Sequence, residues 1–275
     1  MRLVTFLHDQ HSRPGLLDTA SQTITPLDYP TALAFIQAGE QAWHAAPTAA
    51  RIAVADVQIL APLDRPGKLL CVGLNYRDHA VESKMELPKV PAVFTKFSNA
   101  IIGPDASVVL PAVSTQPDYE AEMAIVIGKR GRNIAPADWE QHVFGYTILN
   151  DISARDVQFA TSQWSLGKSF DTFCPMGPVI VTKDELTDPH ALDIKLTIAG
   201  EVLQHSNTRE LIFKAPDLIA YLSSIMTLEP GDIISTGTPQ GVGFGRTPQR
   251  WLHPGETMTI EIEGIGTLTN PIVSE

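Results

Sequence analysis

Positive charge is in short supply in this sequence. Against 31 aspartates and glutamates stand 20 lysines and arginines, a net charge of −11. A chain of that sign repels phosphate backbones, which argues against nucleic acid as a partner. It does not exclude a small anionic substrate, because a local cation inverts the field at a site. Cysteine is nearly absent. Cys71 and Cys174 both sit beside apolar residues, which reads as inert thiols in a reduced, intracellular protein. No apolar run approaches the ~20 residues of a membrane-spanning helix. The opening MRLVTFLHDQHSRPG has no basic segment followed by an apolar one, so no signal peptide is expected. These absences lead to the expectation of a soluble, cytoplasmic chain with no membrane partner. Several enzyme signatures are missing too. There is no Gly-x-Ser-x-Gly elbow, neither cysteine stands in a nucleophile context, and no histidine pair has zinc spacing.

The chain is 275 residues long, with 44% hydrophobic and 19% charged content. That supports one large domain, or one with a small appendage, around a substantial core. MRLVTFLH reads as a strand, RPGLLD as a turn and residues 31–46 as an amphipathic helix. VQILAP reads as a strand, and two prolines and a glycine near Pro62–Gly67 mark a soft boundary. Short apolar runs separated by Gly and Pro follow: KLLCVGL, AVFTKF, SVVLP, AEMAIVIG, FGYTILNDI, GPVIVT, DIKLTIAGEVL, DIISTG and TMTIEIEGIGTLTN. They are too many and too irregularly joined for a βαβ repeat. Only APDLIAYLSSIM, residues 215–226, reads as a longer helix in this part. The expected class is α+β and β-rich, a mixed sandwich or rolled sheet with few short helices. The expected division is a small N-terminal α/β extension over residues 1–63 and a main domain over 64–275.

Four stretches carry candidate chemistry. In PDYEAEMAIVIGKRG, Glu120 and Glu122 share one face of a strand. From Ala121 onward the run is nearly all apolar, which implies burial on both sides. An edge strand whose polar face meets water would also present such a pair. Two half-buried carboxylates repel and lose solvation, and a divalent cation that prefers oxygen ligands resolves both costs. A third acid is at hand in FGYTILNDISARD, where Asp151 ends an apolar strand; Asp156 is the alternative, in a more polar setting. In CVGLNYRDHAVESK, His79 and Glu82 are three apart and neighbours on a helix face. That is a base with its orienter, or an ordinary surface pair. In SLGKSFDTFCPMGP, Lys168 precedes an apolar strand and either neutralises a carboxylate or an enolate or is an ordinary solvated loop lysine. In GDIISTGTPQGVGFG, backbone N–H groups and the Thr236 and Thr238 hydroxyls can face an anion. This loop is not a P-loop, for no Lys-Ser/Thr follows the glycines.

Taken together and in this order, the motifs VGLNYRDHAVE, DYEAEMAIVIG, GYTILNDISARDVQ, LGKSFDTFCPMGP, DIISTGTPQGVG and EGIGTLTNPI resemble the fumarylacetoacetate hydrolase family. The resemblance runs from about Lys68 to Val273, and Asn75-Tyr76 ahead of the histidine matches the acylpyruvate-hydrolase-like members. It implies a mixed β roll, a homodimer and a divalent metal, usually Mg²⁺, with Mn²⁺ or Ca²⁺ as alternatives. By motif, Glu120, Glu122 and Asp151 would be the metal ligands. His79 and Glu82 would be the water-activating pair, with Lys168 beside the metal. Arg155, Gln158, Thr238 and Tyr76 would contact a small anionic oxoacid substrate. The implied activity is hydrolytic C–C cleavage of a 2,4-dioxo acid such as an acylpyruvate, in 2-oxoacid or aromatic catabolism. The alternatives are isomerisation or decarboxylation of muconate-type dioates or oxaloacetate, ureidoglycolate cleavage, or oxoacid binding without turnover. Specificity is expected in part from QHSNTREL, residues 204–211.

Overall fold

The computed structural model describes residues 1–45, 49–82 and 86–275. Strands dominate, and the longest helix is Ala215–Ile225. A long mixed sheet runs in the spatial order Ile52–Ala53, Thr23–Pro26, His11–Asp18, Arg2–His8, Cys174–Thr182, Val143–Asn150, Ala121–Ile127, Ile233–Ser235, Leu69–Gly73, Ala92–Thr95. Along this path only Ile233–Ser235 and Leu69–Gly73 pair in parallel. A second sheet orders Glu201–Asn207, Asp193–Ile198, Thr257–Ile262, Gly266–Ser274 and Val108–Leu110. The fold is the β-rich α+β roll that the sequence implied.

The main core lies where the sheets face each other. Met123, Ile125 and Ile148 of the long sheet join Leu196, Ile260 and Leu268 of the short one. The alternate residues Ala124, Val126 and Leu149 point to the opposite face, where Phe35, Ile36 and Trp43 cover them. The Ala121–Ile127 strand is therefore buried on both faces along its whole length. Each such Leu, Ile or Phe contributes about 1.5–3 kcal/mol. Arg2 pairs with Val181 and Leu3 with Ile180, so the N-terminal segment continues the long sheet.

Three local expectations change. RPGLLD is not a turn. It lies in the strand His11–Asp18, and the reversal sits at Asp9-Gln10, both at positive φ. Pro14 is tolerated because its carbonyl still accepts from Leu27 N–H (3.0 Å). The helix expected over 31–46 is two short ones, Ala32–Gln37 and Glu40–Trp43, broken at Gly39 with φ +81°; residue 46 lies outside the described residues. DIKLTIAGEVL and TMTIEIEGIGTLTN are each a hairpin rather than one strand.

Candidate active site

Strand register brings the acids together. Ala121–Ile127 pairs antiparallel with Val143–Asn150, Ala121 opposite Asn150 and Glu122 opposite Leu149. One step further, Asp151 N–H donates to the Glu120 carbonyl (2.9 Å). Residues opposite one another share a face, so Glu120, Glu122 and Asp151 converge at one end of the pair. One carboxylate oxygen from each lies within 4.8 Å of the others, and all three residues are buried. An all-oxygen, three-carboxylate set fits a hard divalent cation and not a thiophilic one. Asp156 stays away from this cluster: it accepts from Ser114 (2.7 Å) and Thr115 (2.8 Å).

Buried cations surround the acids. Lys168 Nζ donates to Glu120 Oε2 (2.7 Å) and Asp151 Oδ2 (2.9 Å). Lys96 Nζ donates to Asp151 Oδ1 (2.7 Å) and the Ile152 carbonyl (3.0 Å). Arg155 reaches Glu120 (2.6 Å), Asp118 (2.8 Å) and Gln158 Oε1 (3.0 Å). Burial opposes the Glu120 charge, but Lys168 and Arg155 outweigh it and hold that carboxyl below its usual range. Glu122 behaves oppositely. Burial, then the Asp151 and Glu120 charges, push its carboxyl well up. Burial would lower Lys168, yet Asp151 and Glu120 outweigh it and keep the ammonium charged. Both cysteines are buried and free. Burial pushes the Cys174 thiol up to about 12 and raises Cys71 as well, so neither serves as a thiolate.

The glycine-rich loop binds the protein's own carboxylates. Ser235 Oγ (2.5 Å) and Gly237 N–H (2.9 Å) donate to Glu122 Oε2. Gly241 N–H donates to Glu82 (3.0 Å), and Gly243 (2.7 Å) and Phe244 (3.0 Å) donate to Asp118. Gly237 has φ +94°, and a Cβ there would lie 2.8 Å from the Val72 carbonyl oxygen, so only glycine fits. The short helix Arg77–Glu82 places His79 Nδ1 3.2 Å from Glu82 Oε2. Burial disfavours the Glu82 charge, but the bonds from His79 and Gly241 prevail and lower its carboxyl. Asn75 braces the helix entrance, bonding Phe213 and the Thr236 carbonyl (2.7 Å), and Asp78 accepts from Ser206 (2.5 Å).

A cavity of about 400 Å³ gathers most of the sequence-named residues. His79, Glu82, Glu120, Glu122, Arg155, Gln158, Lys168 and Thr238 all line it. Asp151 is wholly buried behind them. Thr238 lends its hydroxyl to the Ala121 carbonyl (2.9 Å) and accepts from Gln204 (2.9 Å). Tyr76 does not join the lining: it is fully buried, and its hydroxyl has no hydrogen-bond partner among the described residues. The 204–211 segment stands behind the site, through Gln204 and Ser206, rather than in its wall. Ser83 and Lys84 of the CVGLNYRDHAVESK stretch lie outside the described residues. Sequence reading missed Lys96, Asp118, Ser235 and the rings of Phe94, Phe159, Trp164 and Phe244. Asp118 carried a usable signal, for it extends the same-face alternation of Glu120 and Glu122. Lys96 and the rings carried none.

A buried carboxylate cluster of the kind that holds a divalent cation lines one cavity with a histidine–glutamate pair, an arrangement found in a class of enzymes. The chain belongs to the fumarylacetoacetate hydrolase family. Residues 68–273 match the model for the fumarylacetoacetate (FAA) hydrolase C-terminal region, and residues 1–62 match the Rv2993c-like N-terminal model. The chain is similar to the mitochondrial oxaloacetate tautomerase Fahd2a of Rattus norvegicus, 44% identical over 99% of this chain and 92% of that protein. It is 49% identical to the mitochondrial oxaloacetate tautomerase FAHD2A of Homo sapiens, over 79% of this chain and 70% of that protein. Among solved structures, a fumarylacetoacetate hydrolase from Exiguobacterium antarcticum superposes with TM-score 0.91 at 35% identity, covering both chains fully. A 5-carboxymethyl-2-hydroxymuconate delta-isomerase from Mycobacterium smegmatis gives 0.86 at 35% identity, again over both whole chains. These relatives overturn the cytoplasmic expectation, because the similar tautomerases are mitochondrial proteins. That expectation rested on lacking a secretory signal and an apolar span, and neither lack distinguishes one interior compartment from another. No described helix is long and apolar enough to cross a membrane.

Proposed function

We propose that this enzyme is a divalent-metal-dependent tautomerase that interconverts the keto and enol forms of a small 2-oxo acid, oxaloacetate being the first candidate. The observation that carries the reading is the shared cavity. The His79–Glu82 pair lines the same cavity as Glu120, Glu122 and Lys168, so a base and an enolate-stabilising cluster meet one small ligand. The names of the similar tautomerases support this over the hydrolytic reading. Glu120, Glu122 and Asp151 would hold the ion, Mg²⁺ first, with Mn²⁺ or Ca²⁺ as alternatives. Once bound, such an ion supplies Lewis-acid polarisation of a 2-oxo group.

The chain's own groups do the rest. His79, oriented by Glu82, takes or returns the C3 proton. Lys168, kept charged by its acidic neighbours, steadies the negative charge that develops at the ligand oxygen. Arg155 and Gln158, already bonded to each other, present N–H groups toward a substrate carboxylate. Hydrolysis needs the same base to act on water instead, and it has its own support in a maleylpyruvate hydrolase structure 33% identical to this chain (TM-score 0.84). The protein is also proposed to work as a homodimer, which light scattering tests. Loss of the enol absorbance of oxaloacetate, followed with Mg²⁺ and with EDTA, tests the tautomerase reading. Metal-dependent acceleration is expected. Cleavage of acetylpyruvate without any effect on the oxaloacetate enol would reinstate the hydrolase.

A further inference from the structure

We propose that the same cavity accepts 3-aryl-2-oxo acids, phenylpyruvate being the simplest, and interconverts their keto and enol forms. This rests on the tautomerase reading and names a second substrate class for it. At about 400 Å³ the cavity falls within the ~300–1,000 Å³ of sites that enclose drug-sized ligands, more than a four-carbon acid fills. Beyond the acids its wall includes four aromatic rings in two contacting pairs. Phe94 and Trp164 are 5.6 Å apart, and Phe159 and Phe244 are 5.2 Å apart, between ring centroids. Both pairs reach the polar cluster. The Phe94 centroid is 5.0 Å from Lys168 Nζ, and that of Phe244 is 5.9 Å from Arg155 Cζ. Phe159 and Phe244 remain 50% and 44% exposed, so they offer apolar surface that a ligand ring can cover.

Charge points the same way. The lysine and arginine among the described lining residues, Lys168 and Arg155, are already bonded to acids. The far end of a ligand therefore meets rings rather than an uncommitted cation among the described lining residues. The step itself is a proton shift. The C3–H bond breaks, its electron pair becomes the C2=C3 bond and the C2=O π pair moves onto oxygen, while His79 takes the C3 proton and passes it, directly or through water, to that oxygen. No oxidant or co-reactant is needed, and conjugation with the aryl ring favours the enol.

The test uses the full chain in Mg²⁺ with phenylpyruvate, pyruvate and oxaloacetate. Calorimetry should show phenylpyruvate binding about tenfold or more tighter than pyruvate, which has the same head and no ring. Phe159→Ala and Phe244→Ala should each narrow that gap, and deuterium exchange at C3 of phenylpyruvate should be accelerated by the wild type. Equal binding of the two acids, or a gap untouched by both substitutions, overturns the proposal. So does unaccelerated exchange in protein that converts oxaloacetate. If oxaloacetate conversion fails as well, the tautomerase reading falls, and this proposal with it.

Discussion

Replacing Glu122 by glutamine separates two effects of one buried acid. Without a metal, Glu122 is 2% exposed and beside Asp151 and Glu120, and its carboxyl is pushed up. An acid whose folded pKa exceeds its unfolded value of about 4.3 stabilises the fold fully below that value and loses the contribution as pH rises through the folded pKa. Above both, each unit of displacement is worth about 1.4 kcal/mol of lost stability. Glutamine keeps the shape and one oxygen for Ser235 and Gly237, and its NH2 group in place of the acid's other oxygen costs about 1–2 kcal/mol. With EDTA, Glu122→Gln should therefore move from destabilising near pH 5 toward neutral or stabilising at pH 8. Each kcal/mol corresponds to roughly 2–4 °C in a chain of this size.

With saturating Mg²⁺ the comparison should reverse at pH 8. A ligand at a hundredfold its Kd adds about 2.7 kcal/mol to the wild type, or roughly 5–10 °C. A variant lacking one of three carboxylate ligands should gain little. Thermal unfolding at pH 5 and pH 8, with EDTA and with Mg²⁺, reads both effects. A variant that keeps the full Mg²⁺ shift would remove Glu122 from the ligand set. One that is destabilised more at pH 8 than at pH 5 without metal would refute the argument from crowded like charges.

His79→Ala should lower enol–keto conversion by about 10²–10⁴-fold while leaving the Mg²⁺-induced rise in Tm intact; an unchanged rate would take the base role from His79. Asp118→Asn should cost about 3–5 kcal/mol in urea unfolding, because it weakens a buried pair with Arg155 and the Gly243 and Phe244 anchors. Gly237→Ala should cost at least about 1–3 kcal/mol for the positive φ alone. It should also weaken Mg²⁺ binding measured by calorimetry, since the Gly237 N–H holds Glu122.

What the sequence disclosed, and what it hid, follows from the range of each signal. The Glu pair was legible because a two-residue period fixes which face a strand residue takes, and Asp151 because it ends an apolar strand. Lys96 was not legible. It follows the partly exposed strand Ala92–Thr95, yet it binds Asp151 fifty-five positions along the chain. Nothing local distinguishes it from a solvated lysine. The aromatic wall comes from separated segments that only tertiary packing brings together. The glycine-rich loop shows a different limit. Its N–H groups do donate to anions, but Glu82, Glu122 and Asp118 are those anions, and the Thr236 and Thr238 hydroxyls go instead to the Met123 and Ala121 carbonyls. A carboxylate is the same acceptor on a ligand or on a side chain. Only the pairing of Ser235 with Ala124, which sets the loop beside Glu122, decides which one the donors meet. The loop's part is therefore to fix these acids in place, and Gly237 is required by that geometry.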